Sequence, residues 1–357
     1  MRASPPRTPP HRWSRHHRCR GTSLRPSPAA AAPTSWIPMV DTSCICFCHL
    51  TYHLSRGVKN FLGGSVATAQ FFLGVDGGAT RCRARLRDSS GRELGHGLGP
   101  ASNIYLDFDE AMRVVRETIE SAIAAGAPRQ EIAVGLSLAG LSDDEEAARV
   151  SAALPGFAHI VAVNDAVAAC VGANGLGDGG LIIAGTGSAG IARVGARTTI
   201  IGGRGFWLGD DGSAARLGES ALRATLRAID GLEPMSGLAQ ALGHHFDGDP
   251  LRMSRWAADA RPRDYGAFAP QILDVARSGD MRAREIVGEA ASAIAALANA
   301  LNALGAERVA LAGGFGEPLR PFLPPDVAKR LSVPRRDAVD GAILLIGGTL
   351  AEDAACP

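Results

Sequence analysis

The chain has 357 residues, 46% of them hydrophobic and 20% charged, with a formal net charge of +1. That length exceeds one ordinary core and suits two domains, and the composition excludes wholesale disorder. The near-neutral balance argues against a nucleic-acid or membrane-surface protein acting through bulk electrostatics.

Taken in chain order, residues 1–70 stand apart. They hold nine Lys and Arg against one acid, Asp41, leaving 28 basic and 35 acidic residues and a net of −7 in the remainder. They also hold five of nine His, four of seven Cys and eight of 21 Pro. Pro5-Pro6, Pro9-Pro10 and Ala29 to Ala32 are low-complexity signals. This stretch is expected to be disordered, or an extension ahead of a start at Met39 or near Val66. Its Cys44-Ile45-Cys46-Phe47-Cys48-His49 run lacks the paired spacing of a zinc site. No secretory signal is read, and no stretch of about 18 apolar residues predicts a membrane span. Cysteines without the spacing of a disulfide frame point to a reducing cytoplasm.

From Phe71 the texture changes. Phe71 to Val75 reads as a buried strand, Arg81 to Arg87 and Arg92 to Gly97 as two more, and Asp107 to Ala125 as a helix capped by Asp107. Ile132 to Leu138 is a strand, Asp143 to Ala153 a helix, His159 to Val163 a strand and Asp165 to Ala173 a helix. Strands then resume at Gly180 to Ala184, Ser188 to Val194 and Thr198 to Ile201. Ser213 to Ala228 is a helix, Met281 to Leu304 the longest one, Arg308 to Ala312 a strand, and Asp337 to Leu350 a final helix. A strand-rich opening thus occurs twice, which predicts two α/β units of one pattern.

Three glycine loops follow strands. In Asp76-Gly77-Gly78-Ala79-Thr80, small residues let backbone N–H groups approach a phosphate, the carboxylate can hold Mg²⁺, and Thr80 adds a hydroxyl. A plain turn explains that run equally well. Gly185-Thr186-Gly187-Ser188 repeats the arrangement and would clamp a polyphosphate from the other side, unless it is only a hairpin. Gly313-Gly314-Phe315 closes a strand, where a flat ring could lie on the backbone. Asn164-Asp165 sits at a strand end, so Asp165 is either a general base or a helix cap. Gly202 to Ser213 holds Arg204, Gly205 and Asp210, with Trp207 expected in the core. His244-His245 with Asp247 reads as a solvated helix end, and Cys82 and Cys170 as buried thiols.

The order of these motifs resembles the sugar kinases of the actin/hexokinase-type superfamily, and within it the N-acetylglucosamine and glucosamine kinases grouped with BadF-type ATPases. The resemblance spans residues 71–350. It departs at Ala79, where the family has a third glycine. It implies two ribonuclease-H-like lobes around an ATP cleft: 71–177 completed by a C-terminal helix at 338–353, and 178–337. It implies Asp76 near Mg²⁺, residues 77–80 and 185–188 at the phosphates, and Gly313, Gly314 and Phe315 at the nucleoside. Asp165 would be the base for the sugar hydroxyl, and Asn103, Arg204, Gly205 and Asp210 would contact the sugar. ATP and Mg²⁺ are the implied cofactors, a small amino sugar the substrate, and a homodimer a common assembly. Thr80 to Arg85, Ala260 to Ile272 and Ala338 to Ala342 resemble glucosamine kinases more, although Asp264-Tyr265-Gly266 has no evident task beyond starting a helix. N-acetylglucosamine kinase, a radical-dehydratase activator with an iron–sulfur cluster, and a non-catalytic sugar sensor are the competing readings.

Overall fold

The computed structural model describes residues 51–53, 69–78, 80–123 and 126–351. Ala79, the Cys44–His49 run and nearly all of the basic extension lie outside the described residues. Three residues of that extension, Thr51–His53, form strand β1.

The first unit runs β2 (Phe71–Gly77), β3 (Cys82–Asp88), β4 (Glu93–Gly99), α1 (Phe108–Ile123), β5 (Ile132–Leu138), α2 (Asp144–Ala152), β6 (His159–Asn164) and α3 (Asp165–Asn174). Its sheet has the order β4-β3-β2-β5-β6. β2 to β4 form an antiparallel meander, and β5 and β6 add in parallel. Every residue of β5 is buried, as a central parallel strand covered on both faces requires. Asp107 caps α1 by accepting from the Glu110 N–H at 3.0 Å, and Asp143 caps α2 through the Glu146 N–H at 2.8 Å.

The second unit runs β7 (Gly179–Ala184), β8 (Ser188–Val194), β9 (Arg197–Gly202), α4 (Ala214–Ile229), α5 (Gly237–Gly243), α6 (Pro250–Asp259), α7 (Pro262–Gly266), α8 (Ala269–Arg277), α9 (Met281–Ala303), β10 (Val309–Ala312), α10 (Gly316–Leu319), α11 (Pro325–Arg330) and β11 (Leu331–Ser332). Its sheet order is β1-β9-β8-β7-β10-β11. Apart from the added edge strand β1, this repeats the first sheet: an antiparallel meander, then two parallel strands. The duplicated order is that of two ribonuclease-H-like lobes of the actin/hexokinase type.

α9 is long and apolar enough to cross a membrane by length and composition alone. Its buried residues, including Ile286, Val287, Ala290, Ile294, Ala298 and Leu301, recur at helical spacing and face the core of the second unit.

The last helix, α12 (Ala338–Leu345), returns to the first sheet. With α3 it fills a shared core between Phe72, Ala133 and Val161 of the first sheet and Leu181, Ile191 and Ala310 of the second. The two helices touch through glycine: a Cβ on Gly341 would lie 1.9 Å from the Ala168 carbonyl oxygen. The expected helix to Leu350, and the longer 338–353 span, stop early. Gly347 takes φ 78, its N–H bonds the Leu344 carbonyl, and the Gly348 N–H reaches back to Ile343 at 3.0 Å. That pairing of bonds ends a helix at its left-handed glycine.

Candidate active site

The parallel strands of the first sheet end together. Asp76 lies opposite Ser137 in the β2–β5 register, and Ser137 opposite Val163 in β5–β6. Asp165 follows as the first residue of α3. Open α/β sheets bind ligands beyond such strand ends.

Asp76 is fixed by two neighbours. Arg83, directly opposite on β3, donates from Nη2 to Oδ2 at 2.7 Å. Ser137 Oγ donates to Oδ1 at 3.3 Å. The Oδ1 contact is long, so that oxygen keeps acceptor capacity for a hard cation. The donor set therefore fits Mg²⁺ held at one carboxylate with phosphate oxygens and water.

Asp165 is not the cap of α3. Asn164 takes that task, with Oδ1 accepting from the Ala166 N–H at 3.0 Å and Nδ2 donating to the Leu141 carbonyl at 2.9 Å. Asp165 Oδ1 also accepts from the Ala166 N–H, at 2.9 Å, and its Oδ2 has no protein partner among the described residues. Burial pushes its carboxyl above the ordinary aspartate value; the Ala166 N–H opposes this, and the charge of Asp76 adds to the rise. Asp76 and Asp165 line one cavity of about 520 Å³, with Ile183, Ala312, Arg336 and Asp337.

A second cavity of about 580 Å³ joins two of the glycine loops. Gly185, Thr186, Gly314 and Phe315 form one wall, and Gly266, Pro270, Leu273 and Asp274 another. Ile183 and Ala312, in the wall of the first cavity, sit one or two residues ahead of these loops. The 185–188 loop is locked from below. The Ala214 N–H donates to the Gly185 carbonyl at 2.9 Å and the Ala215 N–H to Thr186 at 3.3 Å. Thus the N–H donors at the start of α4 hold the loop from one side, and Thr186 is exposed. Ser188 is turned inward instead: it is buried, and its Oγ donates to the Asp211 carbonyl at 2.7 Å. Phe315 is 4% exposed and its N–H bonds the Ala184 carbonyl at 3.0 Å, so it meets the cavity only with what the core leaves uncovered. Gly77 packs on Ser102, Gly78 accepts from the Ser102 N–H at 3.0 Å, and Thr80 is exposed beside them.

Of the five residues expected at the sugar, Asp165 lines the first cavity and Asn103, Arg204, Gly205 and Asp210 line neither. Asn103 Oδ1 accepts from the Tyr105 N–H at 3.0 Å and lies 2.6 Å from where a Cβ on Gly140 would stand, against the turn after β5. Arg204 and Gly205 are exposed in the loop after β9. Asp210 adopts φ 59, its carboxylate lies against Gly187, and burial raises its pKa while the nearby Ser188 and Gly205 backbone lowers it. With Asp211, whose carbonyl accepts from Ser188 Oγ, it packs the 202–213 loop against the 185–188 loop. Trp207, expected in the core, is 82% exposed; the anchor is its neighbour Phe206, stacked on Tyr265 with centroids 5.3 Å apart. The segment around Asp264 now has tasks. The Asp264 carboxylate accepts from the Arg261 N–H at 2.7 Å at the start of α7, Tyr265 holds Phe206, and Gly266 lines the second cavity.

Sequence reasoning missed Arg83, Asp337 and the α8 wall of the second cavity. A signal existed for the first two. Arg83, Arg85 and Arg87 alternate on one face of β3, and three like charges in a row call for acids from another element. Asp337 and Asp340 supply them.

Residues 73–345 match the BadF/BadG/BcrA/BcrD ATPase family, and the chain belongs to that family. It is 36% identical over 281 residues to a glucosamine kinase of Vibrio cholerae, covering 78% of this chain and 96% of that protein. It is 30% identical to an N-acetyl-D-glucosamine kinase of Dictyostelium discoideum, covering 65% and 79%. Among solved structures, a candidate N-acetylglucosamine kinase from Chromobacterium violaceum superposes with a TM-score of 0.71 at 34% identity, covering 78% of this chain and 99% of that one.

Proposed function

We propose that this protein transfers the γ-phosphate of ATP to the 6-hydroxyl of an amino sugar, with glucosamine as the preferred acceptor. The observation that carries the reading is the pairing of Asp76 and Asp165 in one cavity beside a second cavity walled by the Gly185 and Gly314 loops. The similarity to the Vibrio glucosamine kinase over most of both chains supports the acceptor. The lobes are taken as 71–177 with α12, and 178–337, and a cytoplasmic setting as the one that supplies ATP.

Phosphoryl transfer asks a protein mainly for positioning and charge compensation. The second cavity, mostly apolar in its walls, suits a nucleoside, and the 185–187 loop would hold phosphate oxygens. Asp76 would hold the Mg²⁺ that arrives with ATP, which supplies charge neutralisation at the phosphates. Asp165 accepts the proton of the sugar hydroxyl as that oxygen attacks. Its raised pKa makes it a stronger base than an ordinary aspartate. Closure of the two lobes would exclude water, the competing acceptor.

N-acetylglucosamine is the second reading, favoured by the Dictyostelium and Chromobacterium relatives. For the dehydratase-activator reading a shared cluster needs surface thiolates, and Cys82 and Cys170 are buried. Coupled ADP release measured with glucosamine, N-acetylglucosamine, glucose and no sugar separates these. Release that rises with glucosamine is expected, and release indifferent to any sugar overturns the kinase reading.

A further inference from the structure

Arg83 is bonded to two acids of the 520 Å³ cavity. Its Nη2 donates to Asp76 Oδ2 at 2.7 Å and its Nη1 to Asp337 Oδ2 at 3.0 Å. Asp76 is the penultimate residue of strand β2, while Asp337 caps α12 by accepting from the Asp340 N–H at 3.0 Å. One planar guanidinium therefore joins the candidate metal-holding strand to the start of the helix that returns from the second sheet. Lysine is a single point charge and cannot span both acids in this way. Arg83 is 24% exposed, and its Nε is buried without a hydrogen-bond partner. It sits there for its two acids at the expense of its own hydration. The other rungs do a different job: Arg85 and Arg87 converge on Asp340, at 2.7 and 3.1 Å, and fasten α12 to β3. Arg83 is the rung that reaches Asp76.

On the phosphoryl-transfer reading above, we propose that Arg83 is a positioning residue for that reaction. It occupies Asp76 Oδ2 and leaves Oδ1 to the Mg²⁺ that accompanies ATP, and through Asp337 it ties that setting to α12. It also offsets one negative charge in a cavity that holds Asp76, Asp165 and Asp337 and must admit a polyphosphate. Groups that orient a metal-binding carboxylate change metal affinity or activity by about 10- to 100-fold when removed.

The test compares wild type with Arg83→Met and Arg83→Lys in the full chain. Calorimetry measures ADP affinity with and without Mg²⁺, steady-state kinetics give kcat and the glucosamine KM, and a melting curve reports folding. In Arg83→Met the gain in ADP affinity from Mg²⁺ and kcat should each fall about 10-fold or more, with the glucosamine KM within about twofold of wild type. Arg83→Lys should lose part of both, falling clearly below wild type and no further than Arg83→Met. A Met variant with wild-type Mg²⁺ response and kcat overturns the assignment. Should Arg83→Met fail to fold, wild-type values in Arg83→Lys overturn it equally. Wild-type enzyme without sugar-dependent ADP release would instead sink the kinase reading itself, a different result from either.

Discussion

Replacing Asp165 by Asn tests the assignment on which the chemistry turns. Asn keeps the Oδ1 acceptor that takes the Ala166 N–H at 2.9 Å, and the cap of α3 rests on Asn164, so the fold has no reason to change. What is lost is the proton acceptor. A positioned general base contributes about 10²- to 10⁴-fold, or about 2.7 to 5.4 kcal/mol at 1.36 kcal/mol per decade. In the coupled assay with glucosamine, kcat should fall by that range while calorimetric ADP binding stays within about twofold of wild type. Stability should move the opposite way. A carboxyl whose folded pKa is raised favours the folded state when protonated, and that contribution fades as pH rises through the folded pKa. Above its folded pKa Asp165 therefore weakens the fold, and Asp165→Asn should melt at a higher temperature at neutral pH, with the gain shrinking as pH falls through that pKa. The same raised pKa places the acid limb of kcat/KM in wild type above that of an ordinary aspartate. Turnover within tenfold of wild type in Asp165→Asn would refute the base assignment, and a lower melting temperature at neutral pH would refute the burial argument.

Two further substitutions probe the loops. Gly187→Ala places a Cβ 2.8 Å from Asp210 Oδ2 and 3.1 Å from its Cγ, so it must displace the carboxylate that braces the two loops; the ATP KM should rise, with a stability loss of about 1–3 kcal/mol in urea unfolding. Phe206→Ala removes a side chain that is 5% exposed and stacked on Tyr265, and should cost about 3–5 kcal/mol in urea unfolding and raise the glucosamine KM; Trp207→Ala, one residue on but 82% exposed, should change stability by less than about 0.5 kcal/mol.

The contrast between those neighbours shows where sequence reading stops. Strands and helices were legible because hydrophobic period and capping acids are local signals: β5 runs over Ile132–Leu138 as read, and Asp107, Asp143 and Ser213 cap the helices they precede. The doubled unit was legible as a recurrence of element order. Side-chain direction in an irregular loop is not local. Phe206 and Trp207 are equally apolar, and only the position of Tyr265, 59 residues beyond Phe206, decides which one is buried. The end of α12 was misjudged for a related reason. The apolar run continues to Leu350, but Gly347 closes the helix through bonds that propensity alone does not reveal.

Asp210 carries this furthest. In sequence it is an acid in a glycine-rich loop, which suits a sugar hydroxyl. In the fold it holds φ 59, a conformation that costs a non-glycine residue about 1 kcal/mol or more, and such strain persists only where the surroundings over-determine it. The surroundings are the Ser213 N–H on its carbonyl at 3.0 Å and Gly187, whose missing Cβ leaves the room its carboxylate takes. Ser188 in turn is held by Asp211. A displacement of the 202–213 loop therefore disturbs the 185–188 loop, because Asp210 packs on Gly187 and Asp211 holds Ser188. Glycine at position 187 leaves the room that the carboxylate at 210 takes, a link between the two motifs that neither shows on its own.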